Sequence, residues 1–219
     1  MEHVDSEYAN ALHQLPFNPY SQHCFQEKGT DNYLWRVNAL TDEAADRLIR
    51  PLMQQDALKL KRFNTDVRIV KKTSETIDLK SLTDLIYEGA ESSKLRISFV
   101  SPTAFKSKKD YVIVPSVRLI FQNLLMHYSQ VYSGSKEIDE ETVSYIEQHT
   151  RITAYSLRSQ YFDNAASNGM KIPAFGGTMT LHAKGATSMV GLMNMLLKFG
   201  EYAGVGIKTS MGMGGMKCL

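Results

Sequence analysis

The sequence predicts an α+β chain of two tandem units, each of the strand–helix–strand–strand–helix–strand (βαββαβ) kind. Three observations predict it. Stretches that alternate apolar and polar side chains, such as Lys94–Val100 (KLRISFV), take turns with stretches whose apolar residues recur every three or four positions. From Lys94 onward their order is that of a split βαβ fold, the arrangement of ferredoxin-like and RNA-recognition domains. Residues 33–92 read as the later part of a similar unit. At 219 residues the chain can bury a core without disulfides or metal. Its 43% apolar and 22% charged content is ordinary globular composition, which excludes wholesale disorder.

Element by element, Tyr33–Leu40 alternates like a half-buried strand, and Thr41 caps a helix over 42–53 whose end Pro51 makes irregular. Val67–Lys71 is a short strand and Leu79–Glu88 a helix. After a boundary in 89–93, which divides the chain into units 1–92 and 93–219, the strand at Lys94–Val100 is broken by Ser101-Pro102. Tyr111–Val114 is strand-like. Ser116 then opens the clearest helix, with Val117, Ile120, Phe121, Leu124, Leu125 and Tyr128 at helical spacing. The acidic stretch Glu137–Glu141 begins a polar helix through Gln148. Ile152–Phe162 and Gly177–Lys184 read as strands joined by a loop around Asn168-Gly169. Thr187 or Ser188 caps a Met- and Leu-rich helix to Phe199, and the glycine-rich stretch Gly200–Gly215 follows.

Several function classes fall away. No apolar run approaches the ~18 residues of a membrane span; the longest, around Met189 to Leu197, is interrupted by Gly191 and Asn194. The opening MEHVDSEYANALHQ carries acids where a secretion signal has a basic flank. Cys24 and Cys218 are the only cysteines and lie far apart, which leaves no disulfide framework and no cysteine zinc site. A cytoplasmic protein with no membrane partner is the expectation. The six histidines show no metal-ligand spacing, so no metal and no cofactor is expected. His127 is expected on the polar side of its helix, His149 at the surface, and His182 on a polar strand face with Thr178, Thr180 and Lys184. The formal charge of +2 hides four blocks: −5 over 1–58, +6 over 59–118, −4 over 119–150 and +5 over 151–219. Such blocks are what two positive surfaces, or one cleft lined from both halves, would leave, and equally what ordinary solvated surface charge leaves; charge alone does not settle a partner.

The tail pairs Gly204-Val205-Gly206 with Gly212-Met213-Gly214 across Ile207-Lys208-Thr209-Ser210-Met211. A phosphate-binding P-loop needs glycine directly before the Lys-Thr pair, where Ile207 stands, and a dinucleotide fingerprint needs glycine at 209, which is threonine. What remains is a backbone with exposed amides and one lysine that can approach an anion closely, or a loop whose glycines only satisfy tight turns.

The tail resembles the G-h-G-x5-G-h-G signature (h, hydrophobic) of the CRISPR-associated repeat-processing endoribonucleases, a family of the repeat-associated RNA-binding (RAMP) superfamily. YANALHQLPFNPY (Tyr8–Tyr20), YLWRVNALTDE, FVSPTAFKSKKDYVIVPSVRLIFQNLL and MLLKFGEYAGVGIKTSMGMGGMK extend the resemblance to type III members over nearly the whole chain. The resemblance implies two tandem ferredoxin-like domains. It also implies a metal-independent cut in the repeats of a CRISPR precursor transcript, leaving a 2′,3′-cyclic phosphate and a 5′-hydroxyl. The family's histidine follows a short helix in a leucine-histidine context, which Leu12-His13 matches and His23 does not. Lys28 and Tyr20 are the nearest substitutes for the accessory lysine and helper tyrosine of some members, and join His13 as the expected catalytic residues. RNA contacts are expected from Arg151, Arg158, Lys171, Lys184, Lys208 and Lys217, with Gly204, Gly206, Thr209, Ser210, Gly212 and Gly214 holding the RNA backbone. Family members normally begin with a strand and a longer helix, so the first unit is expected to lack its N-terminal strand and part of its first helix. The implied partners are CRISPR repeat RNA and a CRISPR effector complex, and a homodimer is compatible with them. Two other classes stay open: a non-catalytic RNA-binding subunit of a ribonucleoprotein, and a small-ligand regulator on the same fold. The basic blocks and Lys208 count against the regulator.

Overall fold

The computed structural model describes residues 8, 10, 12, 15, 17–27, 29–60, 63–88, 93–135, 137–163 and 171–219. Of the expected boundary at 89–93, residues 89–92 lie outside them, as does the Asn168-Gly169 loop.

In the second half, β5 (Lys94–Thr103), whose burial alternates, joins β8 (Thr150–Asp163), β9 (Lys171–Ala183) and β10 (Met216–Cys218) in one four-stranded antiparallel sheet of order β10-β5-β9-β8. Leu95, Ile97 and Phe99 of β5 and Met179 and Leu181 of β9 point to one face. There they meet α3 (Val117–Tyr132) and α5 (Thr187–Ala203), which close the core with Ile120, Phe121, Leu124, Met193 and Leu196. Strand order and helix placement are those of a ferredoxin-like unit. A short hairpin, β6 (Phe105–Ser107) with β7 (Asp110–Val112), and a helix α4 (Glu140–His149) are inserted into it.

Side-chain caps fix two of these helix starts. Ser116 accepts from the Leu119 amide and Asp139 from that of Thr142. The third differs from expectation: the N-cap of α5 is Ala186, with no side-chain bond, and the helix runs past Phe199 to Ala203. The Ala186 amide donates instead to the Tyr145 hydroxyl at 3.0 Å, and Gly204, at φ 73°, ends the helix. Strand β9 starts earlier than its sequence reading, through Pro173. At that end β9 pairs only with β8, so the N–H that proline lacks needs no partner.

The first half contributes a hairpin of β1 (Tyr20–Gln26) and β2 (Tyr33–Ala39), a helix α1 (42–53), a hairpin of β3 (Ala57–Leu60) and β4 (Thr65–Arg68), and α2 (Leu79–Glu88). Thr41 caps α1 as expected. Pro51 cannot donate to the Arg47 carbonyl, and the preceding Ala45–Ile49 widens into a π-helical turn. Helix α2 packs on α5. A Cβ at Gly191 would lie 1.8 Å from the Ile86 carbonyl oxygen, so glycine is what lets the helices touch.

Candidate nucleic-acid interface and cleavage site

The glycine-rich loop, 204–215, is folded on itself. The amides of Gly204, Gly206, Gly214 and Gly215 donate to the Gly200 carbonyl, Asn123 Oδ1, the Pro102 carbonyl and Ser101 Oγ. This corrects the expectation of exposed amides at the glycines: those donors are spent inside. Steric need explains the residues. A Cβ on Gly206 (φ +90°) would sit 2.3 Å from the Ala104 carbonyl oxygen, and one on Gly214 (φ +73°) 2.3 Å from that of Val205. Thr209 is buried with its methyl against Gly204. Lys208 takes a left-handed turn at φ 54° and carries its ammonium to within 3.8 Å of the Met211 sulfur.

Strand β1 is docked on this loop. The side chains of Asn18 and Gln22 donate to the Ser210 hydroxyl (3.1 Å) and carbonyl (2.7 Å), and the Tyr20 hydroxyl bonds to the Ser210 side chain. Ser21 Oγ donates to the Tyr202 carbonyl and accepts from Asn38, while the Trp35 indole orients Gln22. The sequence YSQHCFQ lacks the apolar alternation that reveals strands because Ser21 and His23, two of its buried side chains, are polar and point at the other unit. Tyr20 is 6% exposed, burial raises its phenol, and its bond to Ser210 ties the two units together.

His13 and Lys28 lie outside the described residues. Their surroundings do not: Leu12, next to His13, is 1% exposed in a cluster with Tyr8, Tyr20, Ala44 and Leu48. Asn18, in the turn that follows, is held by Ser210.

His23 is 4% exposed, stacked on Phe25, with its ring 2.6 Å from where a Gly215 Cβ would be. Burial, aided by the Arg36 charge, lowers its pKa to about 4. His127 corrects the expectation of a surface residue: it is 4% exposed, and burial lowers it also to about 4 against a small opposing pull from the Gly204 backbone. A histidine held neutral in the fold stabilises fully above its unfolded value of 6.5, and the contribution is lost as pH falls from there towards 4. Each is worth about 3 kcal/mol at the limit, at roughly 1.4 kcal/mol per pH unit. The melting temperature is therefore expected to fall between pH 6.5 and 5, where carboxylates stay ionised, and to fall less in His127→Leu. A flat melting profile across that window would contradict this assignment.

The uncovered face of the second sheet is cationic. Register sets Lys94, His182 and Arg151 side by side, then Arg96 with Thr180, then Lys217, Ser98, Thr178 and Ser156 in one row. Arg158 lies opposite Gly176, two residues along β9 from Ala174, which with Ile172 packs against Met213 of the glycine-rich loop. No residue in these rows is acidic. Arg151, Arg158 and Lys217 thus come together as one surface, with His182 on the polar face expected of it. Lys171 is at the hairpin end opposite Asp163, and Lys184 lies just past β9. Lys94 and Arg96 were not among the expected contacts. Their signal was the K-x-R-x-S alternation of β5 against L-x-I-x-F. Among the described residues no group of three or more His, Cys, Asp or Glu could hold a metal ion, and no helix is long and apolar enough to cross a membrane.

Fold and face together define an α+β protein of the tandem ferredoxin-like class with a basic sheet surface leading to a glycine-rich loop. The family model for the CRISPR-associated endoribonuclease Cas6 matches residues 97–216. A Cas6 endoribonuclease of Streptococcus thermophilus is 37% identical over 99% of this chain and 87% of its own length, and one of Mycobacterium tuberculosis is 32% identical over 99% and 68%. Among solved structures, a Cas6 product complex superposes with a TM-score of 0.77 at 22% identity, covering 97% of this chain and 87% of that one. Thermus thermophilus Cas6 gives 0.67 at 22% identity, over 97% and 84%. The chain belongs to the Cas6 family of CRISPR-associated endoribonucleases.

Proposed function

We propose that the protein cuts CRISPR repeat RNA in the precursor transcript without a metal ion, with His13 moving the proton. The observation that carries the reading is the continuity of the site. A cationic sheet face runs to a loop, and that loop fastens the turn that follows His13 through the Asn18–Ser210 bond.

Metal-free cleavage needs the ribose 2′-oxygen in line with the scissile phosphorus and the departing 5′-oxygen. The 2′-hydroxyl loses its proton and bonds to phosphorus, the bond to the 5′-oxygen breaks, and that oxygen takes up a proton. The products are a 2′,3′-cyclic phosphate and a 5′-hydroxyl. An imidazole titrating near neutrality suits either proton transfer. Lys28 would offset charge gathering on the phosphorane. Division of the chain at 89–92 assigns His13 and Lys28 to the first unit and the RNA-gripping surface to the second. In this reading Arg158, Lys171, Lys184, Lys208 and Lys217 grip phosphates. Ser210 and the glycines Gly204, Gly206, Gly212 and Gly214 shape the loop that presents Lys208.

Site-specific cutting of repeat RNA in EDTA tests the reading; binding without cutting would instead identify an RNA-binding subunit. Lys208→Ala is expected to weaken binding and to flatten the dependence of log affinity on log salt by about 0.7, one phosphate contact on a single strand. An unchanged slope would remove Lys208 from the interface.

A further inference from the structure

We infer that Asn123 and His127, one turn apart on α3, are positioning residues that hold the glycine-rich loop and the turn following His13 in a single register. The role rests on the cleavage reading above.

Asn123 Oδ1 accepts the Gly206 amide at 2.6 Å, and its Nδ2 lies 3.4 Å from His127 Nε2. An amide side chain can face either way. The Gly206 N–H can bond only to the oxygen end, which leaves the NH2 end facing His127 Nε2; with the imidazole proton on Nδ1, that nitrogen accepts from it. His127 is 4% exposed, and the backbone of Gly204, where the same loop begins, also bears on its ring. The imidazole thus meets the start of the loop directly and Gly206 through Asn123.

Its other face reaches the first unit. The Phe17 ring lies on the imidazole at 4.4 Å between centroids, tilted by 35°. The next residue, Asn18, holds the far side of the same loop through Ser210. The contacts close a circuit. Asn123 fixes Gly206, the loop runs on to Ser210, Ser210 takes Asn18, and Phe17 returns to His127, on the helix it started from. Phe17 comes four positions after His13, so a shift anywhere in the circuit moves the turn that follows His13.

Two readouts test this. In single-turnover cleavage at saturating repeat RNA, Asn123→Ala, His127→Leu and Phe17→Leu are each expected to be slower by roughly 10- to 100-fold, the cost of a misplacement near 1 Å. Their RNA dissociation constants should stay within about twofold of wild type. His127→Gln, whose side-chain oxygen can accept from Asn123, should recover part of the rate. The Phe17→Leu/His127→Leu pair should be no slower than its worse member, as contacting residues of one unit are non-additive. Unchanged rates, or effects that simply multiply, would overturn the inference.

The second readout needs no cleavage: hydrogen exchange at the Gly206 amide should quicken at least about tenfold in Asn123→Ala and in Phe17→Leu. Exchange unchanged in Phe17→Leu would overturn the inference. A wild type that never cuts but shows the exchange change would overturn the cleavage reading alone.

Discussion

His13→Ala is expected to slow cleavage of repeat RNA by about 10²–10⁴-fold, the usual worth of a positioned proton donor or acceptor, with RNA affinity nearly unchanged. The basic sheet face and Lys208 come from the other unit and are untouched by the substitution. His23→Ala is the control. His23 is buried between Phe25 and Gly215, and its low pKa keeps it neutral, unsuited to donating a proton near neutrality. Removing it leaves a cavity at the junction of the two units. The expected result is a lower melting temperature with cleavage retained in the folded protein. A dead His23→Ala beside an active His13→Ala would place the chemistry on the wrong histidine.

Gly206→Ala, like Gly214→Ala, should be among the most damaging changes in the loop. Its Cβ would meet a backbone oxygen 2.3 Å away, which has no rotamer to escape into, at a φ of +90°. Left-handed strain of about 1–3 kcal/mol adds to overpacking of about 1–3 kcal/mol, and a displaced loop releases both Asn123 and β1. Folding stability should drop by about 3 kcal/mol or more, with RNA binding and cleavage lost together. Gly212→Ala is the contrast: its φ is +109°, yet the nearest atom is a Phe162 ring carbon at 3.6 Å. It bears the strain without the collision, so its loss should be about 1–2 kcal/mol. Equal melting shifts for the two variants would mean that the loop is not seated as described.

What the sequence disclosed follows from what each element packs against. Helix α3 and strands β5 and β9 were legible because each buries one apolar face on a core within its own unit, which leaves a period of 3.6 or 2. Strand β1 was not, because its buried side chains include the polar Ser21 and His23, which face the other unit. The pattern 57–60 was passed over as well, since ALKL is too short to show a period. His127 lies three and seven residues beyond Leu124 and Ile120, so it shares their apolar stripe. Its polar chemistry hid a position that spacing alone assigns to the interior.

The site was legible in part. The glycine spacing marked the loop, but not that its glycine amides bond inward, because sequence carries no account of where a carbonyl ends up. Charge blocks exposed Arg151, Arg158 and Lys217. Lys94 and Arg96 belong to a different block, and only the β5–β9 register brings them alongside. Helix α2 was legible as a helix, yet the partner it covers became clear only through the contact at Gly191.

The most direct test of the account is the chemistry of the cut ends when the wild-type protein acts on repeat RNA in EDTA. The account predicts one cut in each repeat, with a 2′,3′-cyclic phosphate on the upstream fragment and a 5′-hydroxyl on the downstream one. A single 2′-deoxy nucleotide before the cut should block it. Fragments ending in a 3′-hydroxyl and a 5′-phosphate, cutting that survives the 2′-deoxy substitution, or activity that vanishes in EDTA and returns with a divalent ion would contradict it.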